Sequence, residues 1–334
     1  MRVVDRRSQI QSWIEARLNA SPLTLEPAST DASFRRYFRV RTAGRSLIAM
    51  DAPPAHEDSR QFMRVAALLA EAGVHVPEVI AHDLERGFLL LTDLGATGYL
   101  QALNDASADR LFGDAVDTLL RWQLASKPGV LPAYNEALLA HEINLFPEWY
   151  LQRHLGVALN AQREQALRAL FKQILESNLA QPVAYVHRDY MPRNLMVCEP
   201  NPGVLDFQDA VYGPITYDVV SLFKDAYISW EEERVLDWTV RYWKKARSAG
   251  LPVAADFGAF YRDFEWMGVQ RHLKVLGIFA RLHYRDGKRG YLEDTPRFVG
   301  YLRATAARYN SLKPLLVLLD EIEDKAAAQA GHAI

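Results

Sequence analysis

Cysteine is all but missing from this chain of 334 residues: Cys198 is its one thiol, which excludes an intramolecular disulfide and any zinc site built from several cysteines. Neither sign of charge dominates. Lysine and arginine number 39 against 41 aspartates and glutamates, a formal net charge of -2, so no broad electrostatic footprint draws the chain to nucleic acid or anionic lipid, and neither is expected as a partner. No apolar run approaches membrane-spanning length, and Met1 to Arg7 carries charge where a signal peptide needs apolar residues; a cytoplasmic protein is expected. There is no G-x-G-x-x-G string, so any phosphate-holding loop must be made from other small residues. Internal repeats and long flexible linkers are also lacking.

Hydrophobic periodicity predicts a helix over residues 5 to 20, with Ile10, Trp13, Ile14 and Leu18 on one side. Alternation in Phe34 to Val40 and again in Ser46 to Met50 predicts a hairpin. A helix over 58 to 72 stops at Gly73, and strands follow near 79 to 82 and 88 to 91. Beyond a break at Thr92-Asp93-Leu94-Gly95 the chain reads as helical, over about 106–126, 134–155, 161–180, 217–228, 231–249, 256–283, 296–309 and 312–328, with one hairpin as the exception. The expected organisation is α+β and bilobal: a small antiparallel-sheet lobe over 1–93 and a larger, mainly helical lobe over 94–334, with a ligand cleft between them.

The exceptional hairpin carries the chemistry. His187-Arg188-Asp189-Tyr190-Met191-Pro192-Arg193-Asn194 and Asp206-Phe207-Gln208-Asp209 have the layout of a phosphoryl-transfer centre, with a carboxylate to receive a proton and an amide and second carboxylate to hold metal. Leu195 to Val197 and Val204 to Phe207 read as paired strands. If Val197 faces Val204, Leu195 faces Asp206, and Asn194 and Asp206 emerge together at the open end. Their oxygens suit Mg²⁺, which takes further ligands from water and phosphates. Asp189 is the expected base.

On these residues the chain resembles the aminoglycoside phosphotransferase and choline kinase group of small-molecule kinases, which share the protein-kinase-like fold. Further segments, among them Phe146-Pro147-Glu148-Trp149-Tyr150 and Leu222-Phe223-Lys224-Asp225-Ala226, extend the likeness over nearly the whole chain, towards a bacterial branch acting on amino sugars. The resemblance implies that Asp189 is catalytic, that Asn194 and Asp206 bind magnesium, that His187 is structural, that Asp218 either steadies the catalytic loop or caps its own helix, and that Asp209 supports the metal site. It also implies ATP as phosphoryl donor and the anomeric hydroxyl of N-acetylmuramate or N-acetylglucosamine as acceptor, giving an α-1-phosphate for cell-wall recycling, with no obligatory protein partner.

The nucleotide half departs from the group's pattern. The loop Ser29 to Phe34 replaces a glycine-rich one, and Met50 stands where a phosphate-pairing lysine is expected, so the missing cation should come from Arg35, Arg36 or Arg45. Ser33, Phe34, Arg35, Arg36, Met50, Leu91, Thr92 and Leu94 are the candidate nucleotide contacts, with adenine bonded to backbone near Thr92 and Leu94 under Leu89 and Leu91. Between residues 270 and 290 there are six basic side chains (Arg271, Lys274, Arg281, Arg285, Lys288, Arg289) against one acid, Asp286, which favours a carboxylate-bearing acceptor. Trp149, Tyr150 and Trp230 could stack on a sugar, and Glu148, Lys224, Arg271 and His272 could hydrogen-bond it. The alternatives are a kinase for another small acceptor, such as an aminoglycoside or choline, and an inert nucleotide-binding pseudokinase.

Overall fold

The computed structural model describes residues 5–20, 23–29, 34–42 and 44–331, with side chains through residue 322. By packing, the chain divides into two compact units: residues 1–122 with 193–209, and 123–192 with 210–334.

The first unit is built on a five-stranded antiparallel sheet of β1 (Thr24–Ser29), β2 (Arg36–Thr42), β3 (Arg45–Asp51), β4 (Val79–Asp83) and β5 (Phe88–Thr92), in the order β1-β2-β3-β5-β4. Strand alternation sends Phe38, Val40, Leu47, Ala49, Phe88 and Leu90 to one face, where α1 (Arg6–Leu18) covers them with Ile10, Trp13 and Ile14. Each such large side chain contributes roughly 1.5–3 kcal/mol through burial. Met50 pairs with Tyr37 and Leu89, and these three belong to the opposite face. Helix α2 (Ser59–Glu71) is capped by Asp58, whose carboxylate accepts the Arg60 amide, and the chain leaves it through Gly73 at φ +74°. β1 was hidden in the sequence because Pro27 cannot donate to a ladder; it is tolerated on an edge strand with a bulge beside it.

Residues 193–209 pack with the first unit through backbone bonds. The Val197 amide donates to Thr97 at 2.9 Å and the Val204 amide to His75 at 2.8 Å. That is why division by packing does not follow the boundary expected at residue 93.

The second unit is mainly helical, and the 28-residue helix Phe257–Tyr284 runs through its core among Phe146, Leu151, Phe171, Phe298 and Leu315. Two expectations need correction. The helix expected over 134–155 is two pieces, an α-helix Glu136–Ile143 and a π-helical stretch Phe146–His154, because Pro147 has no N–H to return to the Ile143 carbonyl. A β-carbon on Gly277 would lie 2.4 Å from the Leu145 carbonyl carbon, so the long helix approaches this break only through glycine. The unit also holds a second strand pair, Val183–Val186 with Val211–Pro214. Runs this short and apolar are not separable from buried helix by periodicity.

Candidate active site

In the second unit, strand Val183–Val186 delivers the chain to His187. Asp218, in the first turn of helix Tyr217–Phe223, accepts the His187 amide at 2.6 Å and the Arg188 amide at 3.0 Å. Thr216 holds the N-cap position, so the Asp218 carboxylate is given to the loop and not to its own helix. Burial pushes its carboxyl up to about 7, against the pull of the two amides. His187 is buried, and its Nδ1 lies 3.3 Å from the Asp189 amide that donates to it. Arg188 has φ +77°, a left-handed conformation that costs a non-glycine residue energy and is tolerated where surroundings enforce it. The Asp189 peptide is thus fixed from both sides.

Arg188 is anchored in turn. Its guanidinium donates to Glu142 and lies over the Tyr134 ring at 5.6 Å. Buried Glu142 also accepts from the Tyr134 hydroxyl and pairs with Lys274 at 2.9 Å. Burial alone would raise the Glu142 carboxyl, but Lys274 and Arg188 outweigh it and hold it below the usual range. Nothing in the sequence singled out Glu142, one of two acids in its helix.

In the first unit the hairpin register differs from expectation. Leu195 pairs with Val204 and Met196 with Gly203, each strand being two residues long, so Leu195 does not face Asp206. The aliphatic and thiol neighbours of the turn decide this: a β-carbon on Gly203 would lie 2.7 Å from Leu94 Cδ1 and 2.8 Å from Cys198 Sγ, so this position must be glycine and fixes the pairing. Asn194 nevertheless meets the returning strand, its carbonyl accepting the Leu205 amide at 2.9 Å, one residue before Asp206. Asp206 has φ +60°, a second strained non-glycine position. Its Oδ1 accepts from Gln208 Nε2 at 2.9 Å and lies 3.6 Å from the Arg35 guanidinium, which is also 3.7 Å from Glu57. Asp209 is exposed. Among the described residues no three His, Cys, Asp or Glu side chains cluster as a metal site; an amide oxygen with a carboxylate is a different, harder donor set, and its chemistry fits Mg²⁺.

The other candidate nucleotide contacts also lie in the first unit. Ser33 falls outside the described residues. Phe34 is 63 % exposed and stacks on His56 at 4.2 Å. Met50 and Leu91 are buried. The Thr92 amide donates to the Glu78 carbonyl at 3.0 Å, so it is already used; Leu94 packs beneath Gly203. Arg36 pairs with Asp51, which Arg6 of α1 also engages. Arg45 is exposed at the end of β3.

The candidate acceptor residues belong to the second unit. Tyr150 is core, stacked on Phe146 at 5.7 Å, and Trp149 packs partly buried against the same cluster; Glu148 is exposed. Trp230 meets Trp238 edge-on at 5.4 Å with Arg234 over its ring. His272 is also core: it stacks on Tyr301 at 4.9 Å, and burial holds its imidazole well below the usual range. Lys224 is buried with its ammonium 5.2 Å from the Phe264 ring, and burial lowers it to about 8. Arg271 is different. It is 2 % exposed; among the described residues its Nε and Nη1 have no hydrogen-bond partner, and Nη2 meets only the Met191 thioether at 3.8 Å, two residues after Asp189. Asp225, which sequence reasoning passed over as one acid in an apolar run, is fully buried: one oxygen accepts the Tyr227 and Ile228 amides, ending its helix early, while Oδ1 has no partner. Its carboxyl is raised by burial, against the pull of the Tyr227, Ala226 and Ile228 amides and of Arg271.

The family model described as phosphotransferase enzyme family matches residues 24–257. A relative from Pseudomonas aeruginosa named N-acetylmuramate/N-acetylglucosamine kinase is 52 % identical, covering 97 % of this chain and 98 % of its own. A relative of the same name from Neisseria meningitidis is 46 % identical over 98 % of this chain and 99 % of its own. Among solved structures, a choline/ethanolamine kinase family protein from Mesorhizobium loti superposes with TM-score 0.62 at 15 % identity, covering 94 % of this chain and 99 % of its own. An ADP-bound aminoglycoside phosphotransferase does so with TM-score 0.57 at 13 % identity, covering 88 % and 97 %. The α+β fold is therefore that of the protein-kinase-like phosphotransferases, and the chain belongs to the phosphotransferase enzyme family.

Proposed function

We propose that this chain is a sugar kinase that transfers the γ-phosphoryl group of ATP to the anomeric hydroxyl of N-acetylmuramate and N-acetylglucosamine, giving the α-1-phosphate. The observation that carries this reading is the 46–52 % identity, over nearly the full chain, to relatives that bear both sugars in their name. Asp189 accepts the proton of the attacking hydroxyl as the oxygen–phosphorus bond forms and ADP leaves. Its backbone is pre-set by Asp218 and His187, so no reorganisation is needed at the moment of reaction. Asn194 and Asp206 would hold Mg²⁺, which when bound offsets charge on the phosphate oxygens.

Arg271 and Asp225 are the acceptor-recognising groups in this reading. Buried N–H donors and a buried carboxylate oxygen left unpaired cost about 1–3 kcal/mol each, a cost recovered when a ligand supplies partners. A carboxylate on the acceptor would displace the weak thioether acceptor of Met191 from Arg271, and a hydroxyl or amide N–H would satisfy Asp225. Of the six basic side chains between 270 and 290, Lys274 is committed to Glu142 and Arg285 to Asp286; Arg271 keeps two unfilled donors beside Met191, and Arg281 keeps one at Nε. The lobe over 1–93 carries the nucleotide contacts other than Leu94, and 94–334 the base, metal and acceptor contacts. No helix among the described residues is long and apolar enough to cross a membrane; in this reading a kinase drawing on ATP for cell-wall recycling acts in the cytoplasm.

Incubation with MgATP and each amino sugar, followed by phosphorus NMR, tests the reading. A doublet from phosphate on C1 is the expected product; phosphate on C6, or ATP hydrolysis without acceptor phosphorylation, overturns it.

A further inference from the structure

Met50 leaves the sheet without a cation where nucleotide phosphates would lie, and the strand pleat sorts the arginines that could supply one. In β2 and β3, Arg36 faces Asp51 across the ladder, on the side of Phe38, Ala49 and Phe88, which α1 covers; Arg6 of α1 reaches the same carboxylate and lies over Phe88 at 5.0 Å. Arg45 shares the parity of Leu47 and Ala49 and belongs to that side too. Both are therefore on the wrong face. The Met50 face carries Tyr37 and Arg39 on β2, and Arg39 is bound to Asp93 at 2.7 Å and to the Gly95 carbonyl at 2.8 Å, where it ties β2 to the segment after β5.

Arg35 lies one step further back with the same parity as Tyr37 and Arg39. It is 8 % exposed, and its guanidinium stands 3.6 Å from Asp206 and 3.7 Å from Glu57. Both carboxylates lie within ion-pairing distance and keep the buried charge in place beside the expected metal ligand Asp206. Two acids around one guanidinium also leave the group net negative, which a phosphate alone would not tolerate but a phosphate with a divalent cation at Asp206 would.

We propose that Arg35 supplies the positive charge that Met50 lacks, with Glu57 positioning it and the ATP phosphates as its ligand. A planar guanidinium reaching in from the strand start replaces an ammonium reaching out from mid-strand, and it can bind two phosphate oxygens at once. This rests on the ATP-dependent reading above, and it removes the best argument for an inert protein, since the missing lysine is replaced and not simply lost.

The test is equilibrium binding to the full chain, without acceptor sugar, of ATP and of adenosine, which shares the ring but has no phosphates. For Arg35→Met, ATP affinity should fall on the order of 10- to 100-fold while adenosine affinity stays within about twofold, and Arg35→Lys should restore part of the loss. Equal weakening of ATP and adenosine means a structural role and overturns the proposal, as does an unchanged ATP affinity. A phosphate-dependent loss in Arg36→Met or Arg45→Met in place of Arg35→Met overturns it too. If Arg35→Met does not fold, the ATP-to-adenosine affinity ratio of Arg35→Lys decides alone: a lower ratio than wild type supports, an unchanged ratio refutes. Should the unmodified protein bind no ATP, the kinase reading fails, an outcome separate from these.

Discussion

Two arginines of the second unit show opposite uses of the same side chain. Arg188 is paired with Glu142 and laid over Tyr134, inside a network that also takes in Lys274 and Tyr217. Arg271, more deeply buried, has no carboxylate within ion-pairing distance among the described residues and leaves donors unfilled. A guanidinium paired with a carboxylate of its own chain holds the backbone still, whereas one without such a carboxylate keeps binding capacity in reserve. The first region fixes where Asp189 stands, and the second offers what an incoming ligand can complete.

Substitutions can break this contrast or sharpen it. The largest effect is expected at Asp189, the residue that the paired region presents: Asp189→Asn should lower kcat by about 10²- to 10⁴-fold with ATP affinity nearly unchanged, read by steady-state kinetics and nucleotide binding. Removing the anchor should act on stability instead. Glu142→Ala leaves the buried Lys274 and the partly buried Arg188 without their carboxylate, and denaturant unfolding should show a loss of about 3–5 kcal/mol; a loss below 1 kcal/mol would mean the network is not holding the loop.

At the unpaired arginine the outcome should be reversed. Arg271→Met should leave the unfolding midpoint unchanged or higher, while KM for N-acetylmuramate rises about 10-fold or more and KM for N-acetylglucosamine, which has no carboxylate, changes much less. Equal changes for both sugars would show that Arg271 reads a group they share.

The smallest effect concerns Lys224. Its folded-state value of about 8 lies below its usual 10.5, so at pH 7 the native protein bears the cost of a buried ammonium. Between pH 8 and 10.5 the unfolded chain holds the proton and the native one does not, so this cost fades as pH rises. Lys224→Met should therefore be more stable than wild type at pH 7, by about 1–2 kcal/mol, with the advantage shrinking towards pH 10 in thermal melts.

Much of the sheet unit was legible because its signals are local. Alternation in Arg36–Thr42 and Arg45–Asp51, the helix stop at Gly73 and the amphipathic α1 each need only a few neighbouring residues to be read. β1 failed because Pro27 contradicts strand propensity and only its edge position excuses it. In the second unit Pro147 announced a break that the apolar period concealed. The hairpin was foreseen but two residues out of register, since the pairing is set by Leu94 and Cys198 crowding Gly203, and Leu94 is far away in sequence. Tyr150 and His272 were plausible ligand contacts by type and proved to be core, because an aromatic ring at helical spacing carries no mark of what will pack on it.

By itself the sequence determined the chemistry on offer: an Asp, an Asn and a second Asp at spacings suited to phosphoryl transfer, no lysine at position 50, and a surplus of basic groups near residue 271. Those are properties of residue type and order, and they survive any packing. Only the tertiary structure decided which charges are already committed, since Arg36, Arg39, Arg188 and Lys274 find their acids 15, 54, 46 and 132 residues away along the chain. Whether a buried charge is spent on holding the fold or kept for a ligand depends on such distant partners, and no local reading can supply them.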